Sequence, residues 1–218
     1  MKKQILKSAL IAMAGVGLMA GSANALIING EVWTGITDAT NLVRTFDTSQ
    51  DSTATFNING IFNFDTRSTG EPSPITYGDF LNGENDTNIV TWLTGTNLNS
   101  TVMDTADNFA GSFFQFTGTA YFDANEQITH DDGVWITLIS LSDGSIYQGG
   151  FDDPTAPRTT DLGNAAGNYA FTLNYIESNQ LPAVLKMSVD PVPEPTTMLL
   201  FGTGLLGLAA IGRRKETE

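Results

Sequence analysis

The chain has 218 residues, a formal net charge of −14 and no cysteine. Disulfides, thiolate nucleophiles and zinc–sulfur centres are therefore excluded, and stability must come from a hydrophobic core or a bound cation. The acidity repels phosphate backbones and anionic membrane surfaces, which removes nucleic acid as a partner.

Residues 1–25 read as a secretory signal peptide. Lys2, Lys3 and Lys7 give the positive start, residues 9–20 the apolar stretch, and Ala23-Asn24-Ala25 the small-x-small site for signal peptidase, with Ala23 and Ala25 in the third and first places before the cleaved bond. The mature chain is expected to begin at Leu26. Between residues 26 and 190 only Arg44, Arg67, Arg158 and Lys186 are basic. They face 21 of the 24 acids, with Glu194, Glu216 and Glu218 lying beyond, so this body carries −17.

The body, residues 26–190, predicts an all-β domain. Ala54, Phe56, Ile58, Gly60, Phe62 and Phe64 alternate with polar residues, the period of a half-buried strand. Phe114, Phe116, Gly118, Ala120 and Phe122 repeat it, as do Tyr169, Phe171, Leu173 and Tyr175, then Ala183, Leu185, Met187 and Val189. The apolar run 134–139 predicts a strand covered on both faces. Turn signals at Asp132-Gly133, Asp143-Gly144, Gly149-Gly150 and between Pro154 and Pro157 separate these runs. The expected fold is an antiparallel β-sandwich or barrel. Residues 26–50 and 65–108 carry weaker patterns and are expected to supply edge strands or long loops.

Residues 190–195 form a proline-rich extended linker. Residues 196–212 are uncharged and mostly apolar, and Arg213, Arg214 and Lys215 follow. As a helix, that stretch would span roughly 25 Å at about 1.5 Å per residue, slightly short for a hydrocarbon core of about 30 Å. A single, marginal transmembrane helix is expected, a temporary stop with its basic end on the cytoplasmic side. Gly202, Gly204 and Gly207 spell a dinucleotide fingerprint, but no strand precedes them and no acid follows at the needed distance, so the match is discarded. The order of Pro193-Glu194-Pro195, apolar helix and basic cluster over 191–218 resembles the PEP-CTERM sorting signal of exported bacterial proteins. That resemblance implies an exosortase as processing partner, cleavage near Pro193-Glu194-Pro195, and a body released to, or attached at, the cell surface.

One stretch of the body stands out for chemistry: Thr129-His130-Asp131-Asp132-Gly133-Val134-Trp135. Its paired aspartates either bind a cation or form a solvated Asp-Gly turn. His130 is the sole histidine, has no partner serine in a recognisable elbow, and is expected to flank the turn rather than catalyse. Asp152-Asp153 is a second acid pair, held extended by Pro154. Trp33, Trp92 and Trp135 are candidates for stacking on sugars, with Trp135 more suited to a core. Together with Ala166-Gly167-Asn168-Tyr169 and Tyr175-Ile176-Glu177, the Asp-Asp-Gly turn resembles the protective-antigen-type (PA-fourteen) β domain and its fibro-slime relatives. In the lectin-like members the paired aspartates hold calcium across a cis peptide, and the calcium binds sugar hydroxyls. Carried over, the resemblance implies a calcium set of Asp131, Asp132, Glu177 and Asn179, Glu177 standing where those members place an asparagine. The loop 177–182 is shorter here than in the sugar-binding members. The reading is thus a non-enzymatic, calcium-dependent carbohydrate-binding protein of a cell surface or exopolysaccharide biofilm matrix. The alternatives are a carbohydrate-active enzyme and a ligand-free structural spacer.

Overall fold

A computed structural model describes residues 26–36, 42–69, 75–103, 111–152, 156–178 and 182–192. The signal peptide, Pro193-Glu194-Pro195, the expected membrane helix, Asp153 and Asn179 lie outside the described residues.

Twelve strands are described: β1 (Leu26–Ile36), β2 (Ala54–Gly60), β3 (Phe62–Asp65), β4 (Ile89–Gly95), β5 (Gly111–Phe122), β6 (Gln127–Asp131), β7 (Val134–Ser140), β8 (Ile146–Phe151), β9 (Arg158–Asp161), β10 (Gly167–Glu177), β11 (Val184–Met187) and β12 (Asp190–Pro191). The larger sheet runs β4-β2-β1-β5-β10-β7-β8, with β12 also pairing β5. The smaller runs β3-β11-β6-β9, and all pairings among the named strands are antiparallel. The larger sheet ends at β4 and β8 rather than closing, so the fold is an open sandwich and not a barrel.

The 54–65 pattern explains how the two layers join. Ala54, Phe56 and Ile58 face inward from β2, Ile61 is exposed at the corner, and Phe62 and Phe64 face inward from β3 in the other sheet. The apolar period continues through the corner, so a chain that changes sheets still fills one core. Aromatic rings bind the layers: Phe62 lies 5.6 Å from Phe116 and 5.7 Å from Phe171, and Phe64 lies 5.5 Å from Phe116. The two Phe62 pairs are edge-to-face, an arrangement that adds about 0.5–1.5 kcal/mol each beyond the area buried.

Two expectations are corrected here. Residues 26–36 form an interior strand, paired with β2 on one side and β5 on the other. Leu26, Ile28 and Val32 point inward, but Gly30 interrupts the apolar count, and a Cβ on it would lie 2.2 Å from the Phe56 ring. The run 134–139 is covered on one face only: Val134, Ile136 and Leu138 are buried while Ile139 is 44% exposed. Cover on the outer face stops at Trp135, where residues 42–50 strap the sheet. There Trp33, Val43, Phe113 and Ile176 form a second apolar cluster, with Phe46 stacked on Phe113 at 4.2 Å.

Residues 65–108 supply the edge strand β4, as expected, and also a short helix α1 (Tyr77–Asn82) that the pattern did not announce. Thr76 caps it: its hydroxyl accepts from the Asp79 amide, and Asp79 accepts from the Thr76 amide at 2.8 Å. This reciprocal box places Phe80 against Phe64, Phe114 and Tyr175. Thr76→Ala is expected to cost about 1 kcal/mol, read as a lower midpoint in urea with an unchanged slope.

Candidate metal centre

Asp131 is the last residue of β6, and Gly133 separates Asp132 from the start of β7. The Asp131–Asp132 peptide is cis. Gly133 fits because an added Cβ would press at 3.1 Å on both the Asp152 carbonyl oxygen and Ile176. On the neighbouring strand Tyr175 pairs with Val134, which brings the end of β10 beside the turn. The register thus delivers Asp131, Asp132 and Glu177 to one end of the sandwich, exposed by only 6%, 2% and 0%.

Asp132 is fixed through its Oδ2, which accepts from the Ser178 amide at 2.8 Å and the Ser178 hydroxyl at 3.1 Å. Tyr175 Oη contacts the Asp131 carbonyl oxygen and lies 2.6 Å from Glu177 Oε2. A single phenolic hydrogen serves one acceptor at a time, so a proton on Glu177 lets both contacts form. Burial, reinforced by the Asp132 charge, pushes the Glu177 carboxyl well above its ordinary range, which favours the protonated form. Glu177 Oε1 is buried with no hydrogen-bond partner.

Asp131 is raised to about 7, first by burial and then by the charge of Asp132, while Arg67 opposes the shift. Arg67 cannot neutralise it fully, because its guanidinium donates to Asp65 at 2.8 and 2.6 Å. Asp65 also takes Lys186 at 2.6 Å. Burial works against ionisation of Asp65, yet these two partners hold it at about 2. Arg67 and Lys186 thus pair with Asp65, and Lys186 also with Glu84 at 3.0 Å, rather than with the three acids of the turn.

His130 is fully buried, and both ring nitrogens are occupied. Nδ1 faces the Asp132 carbonyl, a pure acceptor, so Nδ1 carries the hydrogen and Nε2 accepts from the Thr160 hydroxyl at 2.8 Å. Burial lowers its pKa and keeps it neutral. It holds the turn, as its sequence position suggested. Asp152 of the second acid pair is bound to Arg44 at 2.9 Å.

All three tryptophans make contacts within the domain. Trp33 is buried and donates to the Gln50 carbonyl, Trp92 packs against Phe56 at 5.2 Å, and Arg44 lies 4.2 Å over the half-buried Trp135. Sequence reading did not find Ser178, Thr160 or the Asp65–Arg67–Lys186 group. Only Ser178, directly after Glu177, carried a local signal.

The donor chemistry fits a hard cation. Calcium takes six to eight oxygens, and Asp131, Asp132 and the unpartnered Glu177 Oε1 would supply part of that set. Among the described residues no three His, Cys, Asp or Glu side chains stand close enough to form such a shell by themselves.

Residues 191–215 match the PEP-CTERM protein-sorting motif. Two solved structures match over most of the chain. One is a PA14 sugar-binding domain from an RTX adhesin, at 12% identity and a TM-score of 0.40, with 76% of this chain and 88% of that chain covered. The other is the PA14 domain of the antifreeze protein MpAFP, at 15% identity and a TM-score of 0.37, with 78% and 84% covered. Functionally characterised proteins give no sequence match. The chain is an antiparallel β-sandwich followed by a PEP-CTERM sorting motif.

Proposed function

We propose that the chain is an exported, exosortase-processed protein of the cell surface or extracellular matrix, whose sandwich binds polysaccharide with the help of a calcium ion. Asp131, Asp132 and Glu177 would hold the ion, with Asn179 as a further ligand. A cation there would draw sugar hydroxyls as additional oxygen ligands. The protein's own groups prepare the place: Ser178 orients Asp132, His130 fixes the carbonyl behind it, and Tyr175 hands Glu177 a proton partner while the ion is absent. The observation that carries this reading is the gathering of three buried acids at one strand end, with Glu177 Oε1 lacking a hydrogen bond. Burying carboxylates is costly, and a divalent cation beside them would offset that cost.

The role proposed is binding; His130, with both ring nitrogens bonded, serves to hold the turn. After signal peptidase and exosortase have acted, the body would leave an inner-membrane intermediate for the cell surface or medium.

The test is thermal unfolding of the mature body with calcium and with chelator. At a calcium concentration about 100-fold above its Kd, stabilisation is about 2.7 kcal/mol, or roughly 5–10 °C for a domain of this size. Asp131→Asn combined with Asp132→Asn is expected to abolish the difference. Identical melting of the unaltered body in both conditions would remove the metal from the account.

A further inference from the structure

Arg44, Arg67, Arg158 and Lys186 are the body's only basic side chains, and the fold brings all of them around the turn that carries Asp131 and Asp132. Lys186 and Arg158 stand in register with Thr129 and His130, on the two sides of β6. Arg67 lies near enough to oppose the shift of Asp131. Arg44 binds Asp152, whose carbonyl oxygen packs against Gly133. Acids hold three of these bases: Asp152 holds Arg44, Asp65 holds Arg67, and Asp65 with Glu84 holds Lys186. Arg158 is the exception. It is exposed on the edge strand β9 and forms no ion pair among the described residues. Its guanidinium lies 3.8 Å from the centre of the Phe151 ring, and that ring lies 5.9 Å from His130.

A guanidinium laid on an aromatic face keeps its in-plane N–H groups for a ligand, and their fork matches the two oxygens of a carboxylate. Phe151 orients Arg158 before any ligand arrives, which lowers the entropy lost on binding. Strand β9 is one spacing, about 4.8 Å, from β6, so a ligand seated at the acid turn has Arg158 at its flank. The body's charge of −17 counts against a densely anionic polymer. Charges more than about 8 Å away are largely screened at physiological ionic strength, so one guanidinium can still attract one nearby carboxylate. That combination suits acid groups spaced along a hydroxyl-rich chain. We infer that Arg158 is a specificity-determining residue, reading the carboxylate of a uronate-bearing polysaccharide bound beside the acid turn. This rests on the proposed function for a polysaccharide at that end, and adds the chemical class of its sugars.

The experiment is calorimetric titration of the mature body, in calcium and in chelator, with short oligomers of galacturonate, guluronate and glucuronate and with their methyl esters. An ester keeps the ring and its hydroxyls but loses the charge. At least one acid oligomer is expected to bind about tenfold more tightly than its ester, as the loss of a charge-assisted hydrogen bond implies. Arg158→Gln is expected to erase that ratio, and Arg158→Lys, which keeps the charge without the fork, to restore only part of it. The calcium-dependent rise in melting temperature should survive in Arg158→Gln, because Arg158 stands outside the proposed ligand set. Failure of every acid oligomer to bind overturns the inference, as does equal binding of acid and ester or a preference that Arg158→Gln leaves intact. Equal binding of a sulfated dextran oligomer would overturn the choice of carboxylate. Melting that ignores calcium, with the Arg158-dependent preference intact, would remove the metal from the proposed function and leave the uronate contact standing.

Discussion

In chelator, the mature body is expected to melt at a lower temperature at pH 8 than at pH 5, and calcium is expected to close the gap. In the unfolded chain Asp131 releases its proton near pH 3.9. Folded, it keeps that proton to about pH 7, because burial and the neighbouring Asp132 charge disfavour the anion. Between these values the native state binds more protons than the unfolded state, so stability falls as pH rises. Glu177 acts with the same sign, its carboxyl being raised well above the usual range by burial and Asp132. Asp65 works the other way but in another window: held at about 2, it contributes stability above pH 4 that is lost as pH falls towards 2. The metal-free optimum should therefore lie near pH 4–5. The loss above it is on the order of a few kcal/mol, a large share of a typical total of about 5–15 kcal/mol. Calcium requires the deprotonated carboxylates, so its affinity rises as the metal-free fold weakens. Asp131→Asn should flatten much of the slope and, in chelator at pH 8, raise the melting temperature above that of the unaltered body. A flat pH profile for the unaltered body, or an Asn variant less stable than it under those conditions, would refute this account.

How legible this was depended on where each interaction sits in the chain. Phe114 to Phe122 and Tyr169 to Tyr175 announce their strands because inward and outward residues alternate within one segment. Residues 26–36 hide theirs: Gly30 replaces an inward side chain so that the Phe56 ring can lie over it, and Ile27 faces solvent. The apolar run 134–139 could not reveal that its outer face lacks cover beyond Trp135, since the strap comes from residues 42–50. Helix α1 spans six residues, too few for a 3.6-residue period, although Thr76 and Asp79 already spell its cap. At the acid end the adjacent pair Asp131-Asp132 is visible in sequence. Its buried state is not, because that depends on Tyr175 and Ser178, which lie 44 and 46 residues away. Nor could spacing show that Arg67 and Lys186 converge on Asp65, with Lys186 also reaching Glu84.

Replacing Pro193, Glu194 and Pro195 together by alanine is expected to change where the protein resides and nothing about how it folds. The residues match the PEP-CTERM motif, and the apolar stretch after them is marginal in length for a permanent anchor. Without the recognised peptide, the proposed cleavage fails and the chain should accumulate uncut in the membrane fraction, with surface and medium forms reduced at least tenfold. The body should be indifferent, because its last described pairing, Asp190 and Pro191 against Tyr121 and Ala120, precedes the altered residues. Its melting temperature and calcium response, measured on purified protein, should equal those of the body released by the unaltered chain. Fractionation followed by mass spectrometry of both termini separates the outcomes. Normal cleavage of the triple-alanine chain would show that the motif is not what the processing enzyme reads. A shifted melting temperature would show instead that the linker belongs to the fold, so delivery and binding would no longer be separable properties of the two parts of the sequence.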